Sequence, residues 1–593
     1  MSPPRSTLTA LIDFRSPDDG VAPLRLAVGA PRERLCARTP DEVVPLLARV
    51  DALARAGAWC VGYLCYEAAG AFDEAFETHA PSDPTRPLAS FAVYDAPLAD
   101  AASFESADTA TVRWTGGPQR DAFDTVIAEI LRAIADGEVY QVNATAPLTG
   151  TLQGEPLALF AALRRAQPNA YAAYLDFGSD AAPDDRILSV SPELFFDWRA
   201  DRLLARPMKG TAPRGATPED DAAQSRFLRS AAKERAENLM IVDLLRNDLS
   251  RVAEPHSVRV PRLFHTEAWP TVWQMSSDVV ARTRPGTTLA DVFAALFPCG
   301  SITGAPKVQA MRLINDLEPE PRGIYCGAIG VVQPGGAATF NVPIRTLALR
   351  THGDVTQVRC GIGSGITADA TAAGEWAEWR HKRAFVDRAS QAFELLETLR
   401  LDEGAFVDLE AHLARMDDAA RHFAFASPLA SACAALAALR AAHASGCWRV
   451  RLLADRAGAA RAQAFELAPT PEPVRVQLAI RPLVGSDGEF VRFKTTHRAH
   501  YDAFAPTDVG VFDTLLWNER GELTEFTRAN VALRIDGRWL TPALRSGLLP
   551  GVARARLLRE GVIAEARLTR NDLERAEGLA LFNSLRGWLD VAG

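Results

Sequence analysis

Glu237-Asn238-Leu239-Met240-Ile241-Val242-Asp243-Leu244-Leu245-Arg246-Asn247-Asp248 is the stretch on which the fold turns. Glu237, Ile241, Leu244 and Asp248 fall at i, i+4, i+7 and i+11, so in a helix they share one stripe. The pattern predicts a long helix from about Ser225 to Leu249, closed by Ser250. A carboxylate on an inward stripe must be paired or metal-bound, because burying it alone is costly. A second acid-bearing helix is predicted over 374–391, with Glu375, Glu378 and Lys382 at i, i+3 and i+7. Its two carboxylates repel unless a cation stands between them, and Lys382 or a divalent ion meets that need. Read alone, either helix is better described as a solvated charged face.

Around these helices the chain alternates in type. Phe123, Ile127, Ile130, Leu131 and Ile134 recur at helical spacing until Asp136-Gly137. Ala170 to Phe177, Ile187 to Val190, Gly323 to Val332 and Thr339 to Leu349 read as strands. In Arg206-Pro207-Met208-Lys209-Gly210-Thr211, the proline and glycine present Lys209 at a turn. A lysine there becomes a nucleophile if its pKa is lowered, and is otherwise a solvated turn residue. Residues before about Arg120 carry no readable motif.

A second unit begins near Ala392. Phe393 to Leu401 reads as a strand, Asp402-Glu403-Gly404 as a turn, and Leu409, Leu413, Met416 and Ala420 as one face of a helix. Asp536-Gly537 between Ala532–Ile535 and Arg538–Leu540 predicts a hairpin with a type I′ turn. Val491 to Thr496 alternates as a strand with Arg492, Lys494 and Thr496 on one face. Gly551-Val552-Ala553 opens a helix running to about Glu560 and stopped by Gly561; its free N–H groups suit a phosphate.

With 593 residues, the chain exceeds one core and predicts two or more domains. A net charge of −9 argues against a nucleic-acid partner, which would favour a basic face. No run of eighteen apolar residues predicts a membrane span, and Met1 to Ala10 lacks the apolar core of a secretory signal. The eight cysteines form no CxxC pair, so neither zinc nor a disulfide framework is expected, and a reducing cytoplasm is the simplest home.

The front half resembles the chorismate-utilising family, in its aminodeoxychorismate synthase component I branch. The segments that carry the resemblance are Ser191-Pro192-Glu193, Pro207 to Gly215, Glu237 to Asp248, Gly300-Ser301-Ile302-Thr303-Gly304-Ala305-Pro306-Lys307, Arg322-Gly323-Ile324-Tyr325-Cys326-Gly327, Ile344-Arg345-Thr346 and Gly363-Ser364-Gly365-Ile366. They keep the family order over about 120–388, within a first domain of 1–388. The resemblance implies an α+β fold: a chorismate-binding two-sheet sandwich with flanking helices. It implies Mg²⁺ held by Glu237, Glu375 and Glu378, clamping the ring carboxylate of chorismate. Arg345, Tyr325 and the Gly365 N–H would bind the enolpyruvyl carboxylate, and Thr303 would line the pocket. Glu193 would protonate the departing C4 hydroxyl, and Lys209 would add to ring C2 before ammonia adds at C4. Anthranilate-forming relatives hold a small apolar residue where Lys209 stands, so lysine implies 4-amination with pyruvate retained. Cys299, Ala212, Ala370 and Gln274 depart from residues common at those positions. Gly361-Ile362-Gly363-Ser364-Gly365 fails as a dinucleotide loop, because Ile366 occupies the last glycine position. No segment reads as a glutamine amidotransferase, so ammonia is expected from a separate subunit or from free ammonium.

Residues 392–593 resemble the fold-type IV pyridoxal-phosphate enzymes of the class IV aminotransferase group, which includes aminodeoxychorismate lyase. The match rests on His412 to Met416, Phe493-Lys494-Thr495, Leu523 to Asn530, Gly551 to Arg554 and Asn583 to Gly587. It implies pyridoxal 5′-phosphate bound covalently by Lys494, its pyridine nitrogen paired with Glu525, and its phosphate gripped by Arg415 with the Val552 and Ala553 amides. Elimination of pyruvate to give p-aminobenzoate is the implied reaction, with Lys494 moving the proton. Alternatives are an aminotransferase of small amino acids, or a half that only binds a partner. Fold-type IV relatives are commonly dimers, which leaves a homodimer through this domain open.

Overall fold

The computed structural model describes residues 8–81, 83, 86–98, 110–178, 185–214, 218–269, 272–486 and 488–592. Gly215, in one quoted motif, and residues 1–7 lie outside that set. The chain divides into two compact units between Ala392 and Phe393.

The first unit is a sandwich of two antiparallel sheets, and the period-2 pleat explains it. In Ala10–Phe14, Ala10, Ile12 and Phe14 join Leu26 and Val28 against Val61, Tyr63, Ala92, Ile329 and Val331 of the other sheet, while Leu11 turns the opposite way. One sheet runs in the order Gly304–Ala305, Gln141–Gln153, Val355–Ile366, Thr346–His352, Asp185–Ser191, Tyr171–Asp176, Ala10–Phe14, Leu24–Val28. The other runs Met208–Pro213, Val272–Arg282, Arg202–Arg206, Leu194–Arg199, Ala338–Asn341, Ala328–Val332, Trp59–Leu64, Ala89–Tyr94, Glu33–Ala37. Helices cover both outer faces. Arg120–Ala135, Pro156–Ala166 and Ala372–Ser390 lie on the first sheet, and Pro40–Arg55, Ala232–Ser250 and Leu289–Leu296 on the second. Phe293 centres an aromatic cluster, with ring centroids 5.1 Å from Phe340 and 5.3 Å from Phe196.

In the second unit, the strands Leu395–Asp402, Cys447–Ala454 and Ala460–Glu466 pack on Leu409–Phe423 and Leu429–Ala442. Phe526, Leu523 and Leu515 of a three-stranded sheet share a core with Val531, Leu533 and Leu581 of a five-stranded one. The predicted hairpin is there, with Ile535 opposite Arg538 and left-handed φ of 49° at Asp536 and 72° at Gly537.

Five expected elements differ. The helix expected over 225–249 is two, Pro218–Ser230 and Ala232–Ser250, because Ala231 is extended and Ser230 Oγ bonds back to the Phe227 carbonyl. Gly323 to Val332 is a strand only from Ala328, because Gly323 and Cys326 adopt left-handed φ of 64° and 65°. Thr339 to Leu349 is cut by residues 342–345, where Pro343 has no N–H and Arg345 is left-handed at φ 51°; there the chain crosses between sheets. Lys209 lies in the strand Met208–Pro213 and not on a turn. Val491 to Thr496 is not a strand: Glu489–Arg492 is a helical turn, followed by a single bridge from Thr495 to Leu395.

The eight cysteines are all free. Burial pushes Cys60, Cys299, Cys326 and Cys360 up to about 12, whereas Cys36 and Cys433 are exposed. No helix among the described residues is long and apolar enough to cross a membrane.

Removing the hub of the aromatic cluster leaves a cavity that its rigid neighbours cannot fill. Phe293→Ala should cost about 3–5 kcal/mol, read as a lower urea midpoint for the first unit.

Candidate functional site

The first site forms where the edges of the two sheets come together. Met208–Pro213 pairs with Val272–Arg282 through a bulge between Met208 and Thr211, with Gly210 at φ 92° inside it. From the other sheet comes Val355–Ile366, whose Gly361, Gly363 and Gly365 alternate onto one face and leave bare backbone. A Cβ on Gly365 would stand 2.8 Å from Lys209 Nζ and 2.7 Å from Gln141 Nε2; on Gly361 it would strike the Tyr325 ring at 2.2 Å. The strip therefore has Tyr325 against Gly361 at one end and the Lys209 amine against Gly365 at the other. It lies in the last half of the strand Val355–Ile366.

The electrostatics fit a nucleophile beside an acid. Burial lowers the pKa of Lys209 and the Lys382 charge adds to this, against the pull of Glu237, Glu193 and Glu378. Burial raises Glu193, although Ser301 Oγ donates to it at 2.6 Å and Lys209 and Lys382 favour its charged form. The lysine is thus disposed to lose its proton and the glutamate to keep one.

Glu237, Glu375 and Glu378 sit on the two helices expected for them. Burial raises Glu237 and Glu375, whereas Lys382 lowers Glu378. They do not converge on a point: among the described residues, no three His, Cys, Asp or Glu side chains stand close enough to hold an ion. Like charges one turn apart repel, and each carboxylate takes its own partner. Glu378 pairs with Lys382 at 2.7 Å, Glu375 accepts from Ser364 Oγ at 2.5 Å, and Glu237 lies 3.9 Å from Lys233. As donors, three carboxylates, two of them with a charge that burial disfavours, are of the oxygen chemistry that a hard divalent cation takes.

Arg345 is a half-buried cation whose pKa desolvation lowers to about 10. Among the described residues it has no carboxylate partner, only the Gln167 amide oxygen and, at 6.0 Å, the Phe385 ring. Such a group favours an incoming anion. Thr303 is fully buried, and its hydroxyl turns back onto the Cys299 carbonyl at 3.2 Å.

Sequence reasoning missed several groups here. Gln141 has 0% exposure, and neither of its amide atoms has a partner among the described residues. A lone glutamine at the start of a strand carries no spacing signal. Asp248, the other acid of the opening stripe, is paired with Lys307 at 3.0 Å.

The second site lies in the other unit. Burial lowers Lys494 to about 8, with Arg415 and Arg498 pulling the same way and Glu397 and Glu525 opposing. Glu525 is raised to about 7 by burial, and accepts from Tyr501 Oη at 2.7 Å and Leu549 N at 3.0 Å. The bend before the helix Val552–Arg559 is locked by Asn530, whose Nδ2 donates to the Leu549 carbonyl at 3.1 Å. Its Oδ1 would be 1.9 Å from any Cβ at residue 551, so a side chain there would have to displace the Asn530 amide. Arg415 Nη1 donates to the Pro550 carbonyl at 3.1 Å, which sets a guanidinium beside the free N–H groups of Val552 and Ala553. An amine of lowered pKa, a buried carboxyl, and an arginine at a helix start fit a phosphorylated pyridine aldehyde. Tyr501 went unread in the sequence.

Residues 31–388 match the family of chorismate binding enzymes, and the chain belongs to that family. Residues 394–593 match the amino-transferase class IV family. Over 297 residues the chain is 41% identical to aminodeoxychorismate synthase component 1 of Klebsiella aerogenes, covering 50% of this chain and 62% of that relative. It is 37% identical over 276 residues to anthranilate synthase component 1 of Streptomyces coelicolor, covering 46% and 52%. The chain thus spans little more than half the length of these relatives. The solved anthranilate synthase component I of Streptococcus pneumoniae superposes with a TM-score of 0.51 at 23% identity, covering 64% of this chain and 92% of that one, which shows the fold.

Two unsatisfied amide atoms cost stability unless function retains them. Gln141→Leu should leave the melting temperature unchanged or raised, while kcat/KM for the first unit's reaction drops about tenfold or more.

Proposed function

We propose that the chain turns chorismate and ammonia into p-aminobenzoate and pyruvate, the unit before Phe393 aminating at C4 and the unit after it eliminating pyruvate. The observation that carries the reading is the Lys209 amine, held against Gly365 beside Glu193. Overall identity does not separate the two classes of relative; lysine at this position does, by the resemblance described above.

Glu193 gives its proton to the C4 hydroxyl, which leaves as water while Lys209 Nζ bonds to C2. Ammonia then bonds to C4 as the C2–N bond breaks, and Lys209 is restored. Arg345 meets the enolpyruvyl carboxylate, with Tyr325 closing that end of the strip. Mg²⁺, held by Glu237, Glu375 and Glu378, would draw charge from the ring through its carboxylate. Ammonia comes from a separate glutamine amidotransferase or from free ammonium.

In the second unit, pyridoxal 5′-phosphate would supply the electron sink, held by Lys494, Glu525, Arg415 and the Val552 and Ala553 amides. The Lys494 amine, lowered to about 8, accepts the proton at C4 of the aminated ring. The C3–O bond breaks, the enolpyruvyl group leaves as the enolate and takes the proton back from Lys494 at its methylene carbon to become pyruvate, and aromatisation drives the step. Free cysteines throughout suit a reducing cytoplasm.

The purified chain should release p-aminobenzoate from chorismate and ammonium when Mg²⁺ and pyridoxal phosphate are supplied. Lys494→Ala should accumulate the 4-amino intermediate by chromatography, and Glu193→Gln should slow its formation by about 10²–10⁴-fold. Lys209→Ala at undiminished rate would refute the covalent role. The amination needs Lys209 neutral, above its lowered pKa, and Glu193 protonated, below its raised one. Lys382 lowers both groups, so Lys382→Met should move both limbs of the pH–rate profile to higher pH.

A further inference from the structure

The phosphate end of the second site has a part that neither the motifs nor the proposed mechanism uses. Glu397, in the middle of Leu395–Asp402, is 1% exposed, yet it is an ionised carboxylate. Its Oε1 accepts from Arg415 Nε at 2.8 Å and its Oε2 from Arg415 Nη2 at 2.7 Å. This is a two-pronged bridge along the side edge of the guanidinium. His412 Nδ1 lies 2.7 Å from the same Oε2, and its buried Nε2 has no partner among the described residues. These contacts hold Glu397 well below the usual carboxylate range despite its burial.

Of the five guanidinium N–H groups, two go to Glu397 and one to the Pro550 carbonyl. One N–H on Nη1 and one on Nη2 stay unspent at the helix mouth. A free arginine would have to give up its rotamer freedom on meeting a phosphate, and the bridge has already removed that freedom. Against this stands the repulsion between Glu397 and a phosphate. Glu397 is on the far edge of the cation, so the positive charge stands between the two anions.

We infer that Glu397 is a positioning residue for the cofactor phosphate: it fixes Arg415 by its side edge so that the remaining N–H groups face the start of Val552–Arg559. This rests on the reading of the second unit as a pyridoxal-phosphate site. His412 completes the clamp by holding Oε2 from the other side.

Pyridoxal lacks the phosphate and so serves as the control ligand. Titrating the full-length chain by visible absorbance and by fluorescence quenching, Glu397→Gln should weaken pyridoxal phosphate about tenfold or more, as expected when a buried pair that fixes a binding group is broken. The affinity for pyridoxal should stay within about twofold. Arg415→Ala should weaken the phosphate form too, and the double variant should lose no more than Arg415→Ala alone. If Glu397→Gln fails to fold by circular dichroism, Glu397→Asp, which keeps the charge but retracts it, should show a smaller loss confined to pyridoxal phosphate. Equal losses for both ligands, an unchanged affinity, or tighter binding by Glu397→Gln would overturn the assignment while leaving the cofactor site standing. A wild-type chain that binds neither ligand would overturn the cofactor reading, and this inference with it.

Discussion

The amine of Lys209 rests against backbone that has no side chain, and much of the first unit's architecture serves that contact. The lysine belongs to an edge strand of one sheet, while Gly365 and Gln141 belong to the edge region of the other. A side chain at residue 365 would begin 2.8 Å from the amine and push it from its place. The approach holds only while the core between the sheets, built on residues such as Ile12, Phe14, Val61 and Val331, sets their separation. Close packing makes that separation stiff, so the reactive nitrogen is aimed by the sandwich as a whole rather than by a loop.

Both sites use one device with different parts. Burial strips water from an amine and a carboxyl, each is shifted towards its neutral form, and nearby charges trim the result. Lys382 stands by Lys209, and Arg415 and Arg498 stand by Lys494. Positive neighbours push both lysines the same way, and acids on the far side keep the push from running away. The two units share no fold, so the likeness is one of physical means.

Much of this was legible in the sequence, for reasons that differ by element. Helical spacing placed Arg120–Ala135, and Asp-Gly chemistry placed the hairpin at Asp536-Gly537, because both are local rules. The crossing between sheets at residues 342–345 was not legible, since two strands with four intervening residues look like one apolar run. Val491 to Thr496 alternated as a strand should, yet a helical turn won, and only tertiary contacts decide that. The chemical residues came through motif resemblance, and the structure adds their surroundings: Ser301 on Glu193, Tyr501 on Glu525, and the unpartnered amide of Gln141. Convergence of Glu237, Glu375 and Glu378 was expected from the resemblance and is not what their side chains do, because each has a nearer partner.

The distribution of thiols has a practical side. Four cysteines are buried and hard to ionise, whereas Cys36 in the first unit and Cys433 in the second face solvent. A maleimide dye under mild conditions therefore meets one ready sulfur in each half of the chain before it meets the interior ones. The native sequence thus carries one attachment point for a probe in each unit without engineering a single residue.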